Sequence, residues 1–328
     1  PMRILVVGGA GYVGSHSVRH LIRSGYEVWV YDNLSQGHRG AVPADRLIVG
    51  DLHETEKLKA ALTQHGIEAV MHFAARSLVG ESVTRPDIYY RTNVAGTLDL
   101  LDAMVATGVR KIVFSSTCAV FGTVETPISE DLPKKPINPY GFTKLVIERA
   151  LADYAAAFGL EAAALRYFNA CGAADDASIG EDHAPESHLI PLVLQAALGQ
   201  RAHVRIFGTD YPTPDGTCIR DYVHVDDLAD AHLKVLAKTV PGTLVDYNLG
   251  TGVGVSVRQV IEAARRVTGK PIEAIEDARR PGDPARLMGD PAKAHRELGW
   301  KAQCTDIQAV IRSAWAWHQA HPQGFADR

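Results

Sequence analysis

Tyr140 and Lys144 stand four residues apart, directly after Asn138-Pro139. Proline suits the first turn of a helix, and side chains four apart on a helix share a face. A free tyrosine has a pKa of about 10, too high for a base at neutral pH. A neighbouring ammonium favours the phenolate. Ser115-Ser116-Thr117 ends an apolar run some 23 residues earlier. A hydroxyl at the C-terminal end of a parallel strand faces the ligand crevice, so Thr117 can hydrogen-bond a substrate oxygen and the tyrosine together. Thr117, Tyr140 and Lys144 are the candidate catalytic residues.

Such a centre needs a partner that takes up the other half of the chemistry. Gly8, Gly11 and Gly14 give a Gly-x-x-Gly-x-x-Gly turn between the first apolar run and the first amphipathic stretch. Glycines there let backbone N–H groups approach a pyrophosphate at a helix N-terminus. Asp32 follows Gly11 by 21 residues, at the end of the second strand, where a carboxylate accepts the adenosine ribose hydroxyls. It repels a 2′-phosphate and has no adjacent arginine. NAD is therefore the expected cofactor, in preference to NADP.

The elements that must position these groups follow from periodicity. Short apolar runs at residues 3–7, 27–31, 46–49, 69–74, 111–115 and 161–168 alternate with helical stretches at 12–24, 55–65, 87–107 and 139–158. Strands apolar on both faces and separated by helices imply a parallel sheet covered on both sides. Beyond Asn169 the pattern changes. Residues 170–187 and 208–221 read as loops, 188–199, 226–237, 256–268 and 304–321 as helices, and 243–249 as a strand. The expected fold is α/β: a Rossmann-type doubly wound parallel sheet with a smaller mixed α/β C-terminal substrate domain. The expected division is 1–174 for the NAD-binding domain and 175–328 for the substrate domain, with some chain crossing back.

Composition excludes other classes. The 328 residues are 46% hydrophobic and 22% charged, which is ordinary for a globular chain. Lys plus Arg total 34 against 38 Asp plus Glu, so no positive excess suits nucleic acid. Cysteines at 118, 171, 218 and 304 form no Cys-x-x-Cys pair; no metal site and no disulfide framework are expected, and a reducing cytoplasm is. No apolar run nears the ~20 residues a bilayer requires, and neither a leader nor a membrane partner is expected.

Over residues 2–325 the sequence resembles the extended short-chain dehydrogenase/reductase family, and within it the NAD-dependent 4-epimerases of UDP-sugars. The resemblance rests on GGAGYVGSH from Gly8, HFAARSLVGESV from His72, NPYGFTK from Asn138, LRYFNACGA from Leu165, GTCIRDYVHVDDLADAH from Gly216 and RRPGD from Arg279. By position it implies cofactor contacts at Tyr12, Val13, Asp32, Asn33, Leu34, Ser35, Gln36, Gly37, Asp51, Leu52, Phe73, Ala74, Ala75, Ser77, Asn93 and Phe168, beside the glycines and the catalytic trio. It implies nucleotide-sugar contacts at Asn169, His188, Leu189, Phe207, Arg220, Arg280, Asp283 and Leu287, with Thr117 and Tyr140. Two guanidiniums suit a diphosphate.

Ser77, Phe121 and Leu287 depart from the commonest pattern in this family and bear on substrate range. Related dehydratases carry an Asp-Glu pair after the strand-end threonine; Cys118 and Ala119 stand here and cannot serve as acid and base. The resemblance therefore implies interconversion of UDP-glucose and UDP-galactose by oxidation at sugar carbon 4, rotation of the 4-keto sugar and re-reduction. The alternatives are 4-epimerisation of UDP-N-acetylglucosamine or of UDP-xylose/UDP-arabinose, or a non-catalytic NAD-sensing protein. It also implies a homodimer, through the helices at 87–107 and 139–158.

Overall fold

The computed structural model describes residues 1–327; Arg328, at the end of the second expected unit, lies outside the described residues. In chain order the strands are β1 Arg3–Val7, β2 Glu27–Asp32, β3 Leu47–Val49, β4 Ala69–His72, β5 Lys111–Thr117, β6 Glu161–Tyr167, β7 Asn169–Cys171, β8 Val204–Phe207, β9 Ile219–His224, β10 Thr243–Asn248, β11 Gly254–Ser256, β12 Ala274–Asp277 and β13 Arg286–Leu287.

Side chains along a strand alternate between faces, and β1 shows the consequence. Ile4 and Val6 join Val30, Met71 and Val113 under the helices Tyr12–Arg23 and Val225–Val235. Leu5 and Val7 join Val70, Ile112 and Phe114 under Thr55–Gln64, Gly96–Thr107 and Pro139–Phe158. Both faces are thus buried, as the unbroken apolar runs predict.

The large sheet has the order β10-β6-β5-β4-β1-β2-β3, and each neighbouring pair is parallel. Chain order reverses between β1 and β4, which opens a crevice beyond their C-terminal ends. The edge strand β10, from residues 243–248, pairs with β6. The smaller part holds β11-β9-β13 with β7 on β9, and a separate β8-β12 pair. Its core is built by Ile190, Val193, Val260, Ile261, Ile311 and Trp315.

Several expectations change. The loop at 208–221 ends in β9, which begins at Ile219, and the loop at 170–187 begins inside β7. β8, β11, β12 and β13 were not expected; each is two to four residues long, too short to show a period. The helix at 87–107 is broken into Pro86–Tyr89, a π-helical turn Tyr90–Ala95 and Gly96–Thr107. The run at 69–74 leaves the sheet after His72. Among the described residues, no helix is long and apolar enough to cross a membrane.

Candidate active site

The glycine turn lies in the crevice. Gly8 has φ +75°, and a Cβ there would come 2.5 Å from the Ala74 nitrogen. A Cβ on Gly14 would collide with the Gly8 carbonyl oxygen. Gly11 caps the Tyr12–Arg23 helix with no side-chain hydrogen bond, so the leading N–H groups are left for an anion. The Asp32 carboxylate accepts from the amides of Ala10 (2.9 Å) and Leu34 (2.7 Å). Burial raises its pKa, against these two bonds. Each carboxylate oxygen takes one amide and has a further lone pair for a ribose hydroxyl. This cradle fits a dinucleotide without a 2′-phosphate.

The other expected cofactor residues line the same strand ends. Asn33, Ser35 and Gln36 are exposed and Leu34 takes φ +63°; a Cβ on Gly37 would press on Asp32 Oδ2. The Asn33 amide donates to Asp51 (3.2 Å), and Leu52 is buried beside Gly96. Phe73, Ala74 and Ala75 are half-buried, Ser77 is exposed, and Phe168 packs on Val120 and Phe121. Asn93 is wholly buried; it accepts from the Arg76 amide and donates to the Arg76 carbonyl and Thr143. It therefore braces the loop after β4. Tyr12 donates its hydroxyl to Gly172 (2.5 Å), tying the first helix to the chain after β7, while its backbone and that of Val13 stay in the helix's first turn.

Thr117 ends β5, and Asn138 caps the Pro139–Phe158 helix by accepting from the Gly141 amide (2.9 Å). That helix carries Tyr140 and Lys144 on its face toward β5. Lys144 donates to the Ser115 carbonyl (2.8 Å) and its ammonium lies 4.7 Å from the Phe114 ring centre. Burial pushes Tyr140 up to about 12, with Thr117 opposing. Burial also pulls Lys144 down to about 8, opposed by Glu148. The Lys144 ammonium is anchored on a strand carbonyl, and burial is the main cause of the shift at both groups.

Sequence reasoning missed what lies behind the trio. Arg166, on β6, forms a fork with Glu148 at 2.9 and 2.5 Å and an ion pair with Asp246 at 2.8 Å. Ser116 also donates to Glu148 (2.6 Å), and Arg166 to Asn248 (3.1 Å). Two signals were available. A charged residue stands inside an apolar strand, and Glu148 follows Lys144 by one helical turn. Phe121 proves to be a core residue at 2% exposure, 5.2 Å under the Arg166 guanidinium.

On the far side, Arg280 stacks 4.7 Å over the Phe207 ring and donates to Asp283 (3.0 Å). Arg220 is held by the carbonyls of Ile219 (2.9 Å) and Pro284 (3.0 Å). Leu287 is half-buried and pairs in register with Arg220. Asn169 opens β7, and His188 and Leu189 stand at the start of Leu189–Ala197. His188 is half exposed and engages Glu181 at 2.6 Å. The structure joins Phe207, Arg280 and Asp283 in one contact and sets Arg220 beside Leu287.

Residues 4–250 match the NAD dependent epimerase/dehydratase family. A UDP-glucose 4-epimerase of Halalkalibacterium halodurans is 51% identical over 99% of this chain and 98% of its own length. A crystal structure of a UDP-glucose 4-epimerase superposes with a TM-score of 0.96 at 48% identity, covering 98% of this chain and 99% of that one. The UDP-glucose 4-epimerase of Brucella ovis, solved in complex with NAD, gives 0.92 at 46% identity, covering 96% and 98%. With that family match over residues 4–250 and relatives about half identical along its length, this chain belongs to the NAD dependent epimerase/dehydratase family.

Proposed function

We propose that the protein is an NAD-dependent UDP-glucose 4-epimerase interconverting UDP-glucose and UDP-galactose. The observation that carries this reading is the composition of the strand end. Thr117, Tyr140 and Lys144 meet there, and the next two positions are Cys118 and Ala119. Cys118 is wholly buried and its thiol pKa is raised by burial. No acid-base pair for dehydration follows the threonine, so oxidation and re-reduction at one carbon remain.

NAD, held by the glycine turn, Asp32 and the loops after β2 and β4, supplies a reversible acceptor for the hydrogen on sugar carbon 4. The chain's own residues do the rest. Tyr140, as phenolate, takes the proton of the 4-hydroxyl and later returns it. Thr117 orients that hydroxyl. Lys144 contributes a cation near the phenol and is itself fixed by Ser115. Arg220, Arg280 and His188 grip the diphosphate, while the 4-keto hexose turns over and presents its other face. A tight hold on UDP with a loose hold on the sugar is what inversion requires.

Two further parts of the reading concern organisation. The chain is a cytoplasmic homodimer, and residues 1–174 and 175–328 are its cofactor and substrate units, with β10 and the Val225–Val235 helix returned to the first. The free cysteines support the compartment. Tyr90, Val105, Phe142 and Phe158, all exposed on or beside the two long helices, support the dimer. The test of function is incubation of purified protein with UDP-glucose, UDP-galactose, UDP-N-acetylglucosamine and UDP-xylose, with chromatographic identification of products. Failure to equilibrate the first two sugars would refute the reading.

A further inference from the structure

Four ligand-type side chains converge between β7 and the Leu189–Ala197 helix. Glu181 is buried, with 7% of its side chain exposed, and its Oε2 lies 2.6 Å from Nδ1 of His188 and 3.2 Å from Nδ1 of His183. Glu186, with 5% exposed, sets Oε2 3.5 Å from His183 Nδ1 and Oε1 3.5 Å from His188 Nδ1. One ligand atom from each residue lies within 4.8 Å of all the others. We propose that Glu181, His183, Glu186 and His188 form a structural binding site for one Zn²⁺ ion.

The first support is dimensional. Tetrahedral zinc holds nitrogen and oxygen at about 2.0–2.2 Å, which sets ligand atoms roughly 3.3–3.6 Å apart. Glu181 Oε2 lies 2.6 and 3.2 Å from the two nitrogens, and Glu186 sets one oxygen 3.5 Å from each, Oε2 for His183 and Oε1 for His188; one atom from each residue falls within 4.8 Å of the others, so rotation of the carboxylates seats an ion. The second is orientation. Nδ1 of His183 is shut off from solvent and makes no hydrogen bond, although carboxylate oxygens lie 3.2 and 3.5 Å away. A buried nitrogen set between two carboxylates without a hydrogen bond to either is open to a shared ion.

The third is chemistry. Both imidazoles turn the same nitrogen inward, their rings edge-on at 5.3 Å. Two carboxylates balance a dication, and an N₂O₂ set suits zinc better than the all-oxygen cages of calcium or magnesium. A cavity of about 140 Å³ lined by Glu181, His183 and Glu186, with His318 and His321, gives an ion a way in. The cysteine spacing predicts no metal site because it reads cysteine ligands; here the donors are histidine and glutamate within eight residues of one loop. An ion on Nδ1 would also lock the ring of His188 beside the diphosphate, a consequence that rests on the proposed function, whereas the site does not.

The test uses the whole protein, stripped of metal with a chelator and titrated with Zn²⁺ against a chromophoric competitor. One tight equivalent per chain is expected, with a raised thermal midpoint, and Co²⁺ should give the intense visible absorption of a four-coordinate site. The His183→Gln/Glu186→Gln double variant should bind ~100-fold more weakly or worse. His295→Gln, an exposed histidine elsewhere, should bind as the parent does. Absence of a tight equivalent in the parent, or equal affinity in the double variant, overturns the site whether or not the protein epimerises any sugar.

Discussion

On the proposed mechanism the Tyr140 oxygen takes and returns the proton, so Tyr140→Phe keeps the packing of the ring and removes the base. Turnover should fall by about 10²–10⁴-fold, while UDP-sugar affinity in a calorimetric titration stays nearly unchanged. Lys144 carries a pH signature. Its proton is held to about 8 in the folded protein and to about 10.4 in an unfolded chain. Between those values the unfolded state binds more protons, so this group's contribution to stability rises with pH. Below pH 8 burying the cation costs stability. Relative to Lys144→Met, the parent should gain about 1.4 kcal/mol per pH unit between pH 8 and 10, read from urea unfolding of both proteins across that range. Leu287 bears on substrate range. It lies in register with Arg220, and on the proposed reading its size sets the wall that a sugar 2-substituent would meet. Leu287→Tyr should lower, and Leu287→Ser should raise, the ratio of N-acetylated to plain UDP-hexose turnover, graded by about 1–3 kcal/mol. Identical ratios in the two variants and the parent would place that wall elsewhere.

At the scale of elements, the Pro139–Phe158 helix is the part that must not move. Asn138 caps its start, Lys144 is bonded to β5, and Glu148 is clamped by Arg166 of β6 and Ser116 of β5. Arg166 in turn reaches Asn248 and Asp246 on β10. One buried charge network thus joins three strands and the helix that carries the base. Replacing one member of a buried pair strands the other charge, which typically costs about 3–5 kcal/mol. Arg166→Met should lower unfolding stability by that order. A concerted Arg166→Met/Glu148→Leu change should recover much of the loss, and chemical denaturation of both variants reads the difference.

For the whole molecule, β10 joins the C-terminal part of the chain to the large sheet, which it completes beside β6. The Val225–Val235 helix then packs against Tyr12–Arg23, whose first turn forms part of the dinucleotide cradle. Assembly belongs to this scale too. Phe142 and Phe158 are 45% and 53% exposed, Tyr90 42%, more apolar surface than a lone helix pair needs to leave open. The proposed two-fold pairing of these helices would bury it in an isologous contact. Sedimentation at micromolar concentration should give a species of about twice the 35.5 kDa chain mass, and Phe142→Glu/Phe158→Glu should convert it to monomer. A parent sedimenting as a single chain would exclude the pairing.

The sequence by itself determined the parts whose physics is local. Gly8 must take φ +75° against the next strand's loop, and only glycine does so freely. Asp32 follows from the length of one β-α-β unit, and Tyr140 and Lys144 share a face because a helix repeats every 3.6 residues. The apolar runs located six strands of the large sheet and the run at 243–249 its seventh, β10, but the order in which they pair was not legible in them. Tertiary structure decided what depends on neighbours remote in the chain. Arg166 finds Glu148 and Asp246 across 18 and 80 residues, so only the packing of a helix and a neighbouring strand against β6 makes its buried charge tolerable. The short strands β8, β11, β12 and β13 exist only because partner edges satisfy their backbone groups. Burial raises the Tyr140 phenol against the Thr117 hydrogen bond, and how deeply a side chain is desolvated is set by the packed neighbours, which no spacing encodes.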